Sequence, residues 1–163
     1  MSEHCGFQFN TLDDTREFAR RLAELLSNKE LGPMTVCFNG TLGAGKTQCI
    51  RFVVEALGVP AEDVTSPTYV LLQRYAGAKV CYHFDFYRLR SEAEVWDLCI
   101  DELFESDCLV FVEWAELFPS CLPEDFLNIE LSTYEDSQTG RRAKLTSNGP
   151  RSLQVLQALE DSS

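Results

Sequence analysis

Positive charge and histidine are scarce in this chain. Against 26 Asp and Glu residues it has 14 Lys and Arg, which gives a formal net charge of -12 at pH 7. This balance opposes direct, salt-driven attachment to a phosphate backbone, so any contact with nucleic acid is expected to depend on a partner with a basic docking face. With two histidines and no Cys-x-x-Cys pair, the chain lacks the ligands of a zinc site.

Long apolar runs are absent as well. The longest apolar stretches have the length of strands, and no basic region followed by an apolar stretch opens the chain. We therefore expect no membrane span and no signal peptide, and we predict a cytoplasmic protein. The seven cysteines are an odd number, well separated and mostly within apolar segments, which predicts reduced core residues.

The glycine-rich segment GTLGAGKT is the strongest motif in the chain. It spans Gly40–Thr47, matches the pattern G-x-x-x-x-G-K-[ST], and lies between a predicted buried strand, Met34–Phe38, and a predicted helix. Backbone amides of such a loop surround phosphates, and the helix directs its positive end at them. The alternative, a purely structural turn, has a prior of roughly one in twenty. The predicted nucleotide contacts are Gly40, Thr41, Leu42, Gly43, Ala44, Gly45, Lys46 and Thr47.

Three side chains are predicted to act with this loop. Lys46 is expected to reach the β and γ phosphates of ATP, and the Thr47 hydroxyl to bind Mg²⁺. A P-loop also needs an acid at the end of a neighbouring strand. Glu113 ends the apolar run Cys108–Val112 and is assigned to Mg²⁺, whereas Asp85 ends another strand-like run and is assigned to water or the γ-phosphate. Without the loop, a solvated strand end would be an equally good interpretation of each acid.

Two other segments are more ambiguous. Pro67 forces Ser66 into an extended conformation, so that Thr68 could sense the γ-phosphate, but Ser-Pro-Thr is also a common turn sequence. Strand alternation places His83 on the same face as Asp85. A lone histidine there is more often a satisfied sheet residue than a catalyst.

The order of predicted elements indicates an α/β protein. Strand, glycine loop and helix are followed by a hairpin that turns at Ala76-Gly77, a helix over Ser91–Phe104, and further strands. This order predicts a P-loop NTPase-like three-layer fold with a mixed, mostly parallel central sheet flanked by helices. Residues 1–150 are predicted to form one P-loop ATPase domain, and residues 151–163 a peripheral C-terminal helix and tail.

Four motifs in this order, LGAGKT, SPTY, HFDFYRL and VEW, resemble the TsaE (YjeE) family over nearly the whole chain, from about Phe7 to Gly149. The resemblance implies a magnesium-dependent, weak ATPase of bacterial tRNA threonylcarbamoyladenosine biosynthesis. It also implies two partner proteins, TsaB and TsaD, which carry the tRNA and the transfer chemistry.

The family's functional positions fall on residues already singled out. Its phosphate loop falls on Gly40–Thr47, its magnesium ligands on Thr47 and Glu113, and its essential aspartate on Asp85. The SPTY motif strengthens Thr68, and Trp114 is either a residue that tunes hydrolysis or a packing residue. The chain departs from the family at Thr41, where an acid is usual, and at Gln48, where a second threonine is usual, which puts partner contacts and turnover in question.

Two other functions are open. A small-molecule kinase would need a substrate pocket and lid arginines, but the segment between residues 92 and 107 is acidic. A nucleotide-loaded adaptor with incidental hydrolysis cannot be told from a partner-gated ATPase by sequence. The absence of an N-K-x-D tetrapeptide leaves adenine as the default base, so ATP and ADP are the expected nucleotides.

Overall fold

A central sheet forms the middle layer of the computed structural model, which describes residues 3–65, 70–134 and 137–163. Its seven strands lie in the order β1-β7-β6-β2-β5-β4-β3. From the pairing, five strands run in one direction, while β3 and β7 run against them. The predicted mixed sheet is confirmed. The strands are β1 His4–Phe9, β2 Met34–Asn39, β3 Leu72–Ala76, β4 Val80–Asp85, β5 Leu109–Glu113, β6 Phe126–Thr133 and β7 Arg141–Ser147.

Five α-helices accompany the sheet in the described part of the chain. The first is closed at its start by a reciprocal cap, in which Thr11 Oγ1 accepts from the Asp14 amide and the Asp14 carboxylate accepts from the Thr11 amide. None is long and apolar enough to cross a membrane, as far as the described residues extend. The helices are α1 Leu12–Leu26, α2 Lys46–Ala56, α3 Glu92–Trp96, α4 Ile100–Phe104 and α5 Pro150–Asp161.

The single helix predicted over Ser91–Phe104 is wrong. The structure has two short helices, α3 and α4, with Cys99 between them in the left-handed conformation at φ 56°. A left-handed residue cannot continue a right-handed helix, so the chain changes direction there. The break lets both Val95 and Ile100 lie fully buried in one apolar cluster.

The core is divided between the two faces of the sheet, because successive residues of a strand point to opposite sides. Leu109 and Phe111 of β5 belong to the cluster under α1, α2 and α5, while Val110 and Val112 belong to the cluster on the opposite face, which includes α3 and α4. The predicted three-layer arrangement is therefore confirmed. Six of the seven free cysteines are buried; Cys99 is exposed.

The C-terminal helix is not peripheral, which corrects the expectation for this end of the chain. Val155, Leu156 and Leu159 of α5 are almost completely buried and belong to the same cluster as Phe18 of α1 and Ile50 of α2. Its apolar side chains recur at helical spacing, and tertiary packing gives that face a partner. Helix α5 is thus a structural part of the layer that covers the sheet.

Three parallel strands bring the predicted site residues to one edge. Strand β2 lies between β6 and β5, and β5 pairs in turn with β4. The register places Phe38 opposite Glu113, and Glu113 opposite Asp85. The carboxyl ends of β2, β4 and β5 therefore meet where the glycine loop leaves β2, at the edge where α/β sheets bind their ligands.

Candidate functional site

The glycine loop connects β2 to α2 and has a backbone that other residues could not easily adopt. Gly40 has φ +139°, and a β-carbon there would lie 2.3 Å from the Leu131 carbonyl oxygen. Gly45 has φ +101° and precedes the first residue of α2. As Gly45 has no side chain to cover the first amides of the helix, these donors and the positive end of the helix dipole remain available to an anion.

Lys46 lies close against the loop. Its Nζ donates to the carbonyl oxygens of Gly40 at 2.6 Å and Thr41 at 3.0 Å, and it sits 3.9 Å from the centre of the Trp114 ring. Only 5% of the residue is exposed, and this burial lowers the pKa of its ammonium group. Trp114 therefore packs on the charge of Lys46, as in a cation–π contact.

Glu113 is a buried carboxylate with both oxygens partnered. Thr47 Oγ1 donates to Oε1 at 2.6 Å, and His83 Nε2 donates to Oε2 at 2.8 Å. Glu113 and His83 are each 2% exposed. Buried charge is costly unless hydrogen-bonded, so these contacts hold the carboxylate in one position beside α2.

Asp85 ends the neighbouring strand β4. Its Oδ1 accepts a hydrogen bond from the Tyr87 amide at 2.9 Å. Burial raises the pKa of this carboxyl group, and the negative charge of Glu113 adds to the effect, although the Tyr87 hydrogen bond opposes it. A carboxyl group with a raised pKa beside a second acid is typical of functional sites.

The predicted side chains line one cleft of about 450 Å³. Its walls include Lys46, Thr47, Asp85 and Glu113, together with Trp114. The structure thus brings together the predicted catalytic and metal-binding residues; Thr68 falls outside the described residues. The cleft is also lined by Leu42, Gly43, Gly45, Gln48, Arg51, Tyr87 and Arg88.

Three contacts of the site were not predicted from the sequence. His83 was identified only as a residue on the face of Asp85, but it holds Glu113 directly. Tyr87 supplies the amide to Asp85, and its ring lies 4.9 Å from that of Trp114. Arg141 contacts the loop carbonyls, and no local sequence signal indicated this. Side chains alternate along β4, so His83 could have been predicted as a partner of Glu113 if β5 had been recognised as the strand next to β4.

The donor set of the cleft fits magnesium. Mg²⁺ prefers hard oxygen ligands and usually takes only one or two from protein, with water and phosphate oxygens as the rest. Thr47 Oγ1 and Glu113 Oε1 are such oxygens and lie within hydrogen-bonding distance of each other. Among the described residues, no group of three or more His, Cys, Asp or Glu is arranged so that it could hold a metal ion.

A larger depression of about 820 Å³ lies elsewhere, over β1 and β7. It is lined by neutral polar groups such as Gln8, with Tyr134 and Arg142 beside them. Among the described residues that line it, there is no glycine loop, helix N-terminus or acid. Volume alone therefore does not make it the better candidate, and the convergence of charged groups favours the cleft at the loop.

Fold and site together define the class of protein: an α/β protein with a P-loop NTPase-like three-layer fold, with its candidate site at the carboxyl edge of the parallel strands. The sequence model of a protein family, described as "Threonylcarbamoyl adenosine biosynthesis protein TsaE", matches residues 9–143 of this chain. The chain belongs to the TsaE family.

Several relatives and one solved structure support this membership. The chain is 32% identical to the tRNA threonylcarbamoyladenosine biosynthesis protein TsaE of Haemophilus influenzae, over 85% of each chain. It is 37% identical to the Bacillus subtilis protein of the same name, over 69% of this chain and 68% of that one. The crystal structure of Bacillus subtilis YdiB has a TM-score of 0.78 and 25% identity, covering 99% of this chain and 97% of that one.

Proposed function

We propose that the chain is a magnesium-dependent ATPase with slow turnover of its own, acting in tRNA threonylcarbamoyladenosine biosynthesis. Membership of the TsaE family supports the process. The observation that supports the activity is the convergence of Lys46, Thr47, Glu113 and Asp85 on one cleft at the mouth of the glycine loop. That arrangement suits phosphoryl transfer, in which catalysis is mostly positioning and charge stabilisation.

Each of these residues has a role that follows from its position. The amides at the start of α2 and the ammonium group of Lys46 would bind the phosphates of ATP or ADP. Thr47 and Glu113 would hold Mg²⁺, which neutralises charge that develops on the phosphates. Asp85, on the opposite side of Glu113 from β2, would orient the attacking water or sense the γ-phosphate.

Slow turnover is proposed from the family resemblance and from the sequence, which has no arginine-rich lid insertion between its motifs, although Arg51 and Arg88 do line the cleft. Fast P-loop hydrolysis usually requires an arginine that stabilises the transition state, supplied in cis or by a partner. We therefore propose gating by the partners TsaB and TsaD, which would also hold the tRNA, since a net charge of -12 does not favour direct tRNA binding. A cytoplasmic location is part of the same proposal.

ATP hydrolysis by the purified protein, alone and with TsaB, TsaD and tRNA of the same organism, tests the proposal. Lys46→Ala should lower turnover by about a hundredfold or more, because it removes the only lysine among the described residues that line the cleft. Lys144→Ala, an exposed lysine on β7, serves as the matched control and should leave turnover unchanged.

The partner arm separates the competing functions. Turnover that rises with TsaB and TsaD supports a partner-gated ATPase. Turnover indifferent to them but raised by a small-molecule acceptor would identify a kinase instead. Binding of ATP without any turnover, with or without partners, would favour the adaptor.

A further inference from the structure

Arg141, the first residue of β7, makes an unusual set of contacts with the glycine loop. Its Nε donates to the carbonyl oxygen of Ala44 at 2.9 Å, and its Nη2 lies 3.5 Å from that of Gly43. Its Nη1 donates to the carbonyl oxygens of Gln138 at 3.1 Å and Gly140 at 2.9 Å, in the turn before β7. The guanidinium therefore ties the loop to the β6–β7 hairpin.

The peptide geometry gives these contacts a consequence for phosphate binding. In a trans peptide the C=O and N–H bonds point in opposite directions. When the Ala44 carbonyl is held on Arg141, the Gly45 amide of the same peptide unit is held pointing away from the guanidinium. A hydrogen bond from a cation to the carbonyl also polarises the peptide, which strengthens its N–H as a donor.

Gly45 lies beside the same side chain. A β-carbon on Gly45 would lie 3.4 Å from Arg141 Nε, and Gly45 has the left-handed φ of +101°. Without the arginine, a glycine-rich segment has many accessible conformations. The conformational entropy of ordering the loop would then oppose nucleotide binding.

We propose that Arg141 is a positioning residue for the phosphate-binding loop, acting through the Ala44 and Gly43 carbonyls. The inference rests on the proposed nucleotide binding. It adds to the site a residue that is about a hundred positions away from the loop in the chain. Arg141 acts through the backbone, so its effect should appear mainly as weaker nucleotide binding, with a smaller effect on the turnover number.

The next residue provides a matched control. Arg142 has the same charge on the same strand but lies on the other side, exposed, with its guanidinium carbon 4.6 Å from the centre of the Tyr134 ring. The experiment measures the dissociation constant of ADP by titration calorimetry for wild type, Arg141→Ala, Arg141→Lys and Arg142→Ala. Loss of a charged hydrogen-bond donor predicts about tenfold weaker binding for Arg141→Ala and less than about twofold change for Arg142→Ala.

Two further readouts separate positioning from general stability. Arg141→Lys can still donate to the Ala44 carbonyl and should recover part of the affinity. Guanidinium ion at a non-denaturing concentration should tighten ADP binding to Arg141→Ala but not to wild type or Arg142→Ala. This rescue is not expected if the arginine serves only overall folding, because guanidinium destabilises folded proteins.

The outcomes are distinct. The positioning role would be overturned if Arg141→Ala binds ADP as tightly as wild type does. It would also be overturned if Arg141→Ala binds ADP weakly, has a lowered melting temperature, and neither the Arg141→Lys variant nor guanidinium ion restores binding. Both outcomes would leave the ATPase proposal intact. A wild-type protein that binds no ADP would overturn both. Weakened binding with rescue, against an unaffected Arg142→Ala, establishes the role.

Discussion

Phe111 and Glu113 make an instructive comparison, since they lie two positions apart on the same face of β5 and both are buried. Phe111 packs in the apolar cluster, with its ring 6.3 Å from that of Phe38 in an edge-on arrangement. Glu113 instead depends on Thr47 and His83 for its partners. Under the proposed function, β5 supplies stability along its middle and a metal ligand at its end, so the two roles should be separable by mutation.

Glu113→Gln should have the largest effect on function. The amide has nearly the same shape and can keep hydrogen bonds to Thr47 and His83, but it lacks the charge that favours Mg²⁺. We expect turnover to fall by roughly a thousandfold or more, while the protein remains folded. Hydrolysis assays and circular dichroism measure the two effects. A variant with turnover within a few-fold of wild type would exclude Glu113 as the metal ligand.

The same substitution gives a second, independent measurement. Mg²⁺ should tighten ADP binding to wild type, and this dependence should be reduced in Glu113→Gln because a ligand of the ion has been weakened. Titrations with and without Mg²⁺ measure it. Equal dependence in both proteins would place the ion elsewhere.

Phe111→Ala should show the opposite pattern. Removal of a fully buried ring leaves a cavity and should lower the free energy of unfolding by about 3–4 kcal/mol. Urea denaturation measures the loss, and Phe111→Leu should cost less. At a temperature where the variant is folded, its turnover per folded molecule should stay near that of wild type. A large loss of turnover with little loss of stability would contradict the proposed separation between a stabilising middle of β5 and a functional end.

Asp85→Asn should have the smallest effect on stability, and in the direction opposite to Phe111→Ala. The pKa of Asp85 is raised in the folded state, so the folded protein binds the proton of this carboxyl group more tightly than the unfolded chain does. The free energy of unfolding therefore falls as the pH rises above the ordinary aspartate pKa. Asparagine removes this cost and can still accept the Tyr87 hydrogen bond. We expect a melting temperature at pH 7 that is higher by about a degree or two, with turnover much reduced.

Thermal melts between pH 5 and pH 8 provide the check. The advantage of the variant should shrink as the pH is lowered toward the range where Asp85 of the wild type becomes protonated. A variant that is less stable than wild type at pH 7 would show that the Asp85 charge is favourable in the folded protein.

Local patterns in the sequence were sufficient for the elements on which the site is built. The loop from Gly40 to Thr47, the helix that follows it and the terminal acids of β4 and β5 were all predicted, because each depends on residues that are neighbours in the chain. Glycine permits the loop backbone, and apolar runs of strand length end in the acids. The resemblance of four ordered motifs to one family identified the family itself.

Tertiary structure alone decided which distant groups meet. His83 reaches Glu113 only because β4 pairs with β5, and Arg141 reaches the Ala44 carbonyl across 97 positions of chain. The break at Cys99 and the burial of α5 likewise depend on packing against the sheet. Propensity and periodicity describe one segment at a time, whereas these contacts are stabilised only when several segments have already packed together.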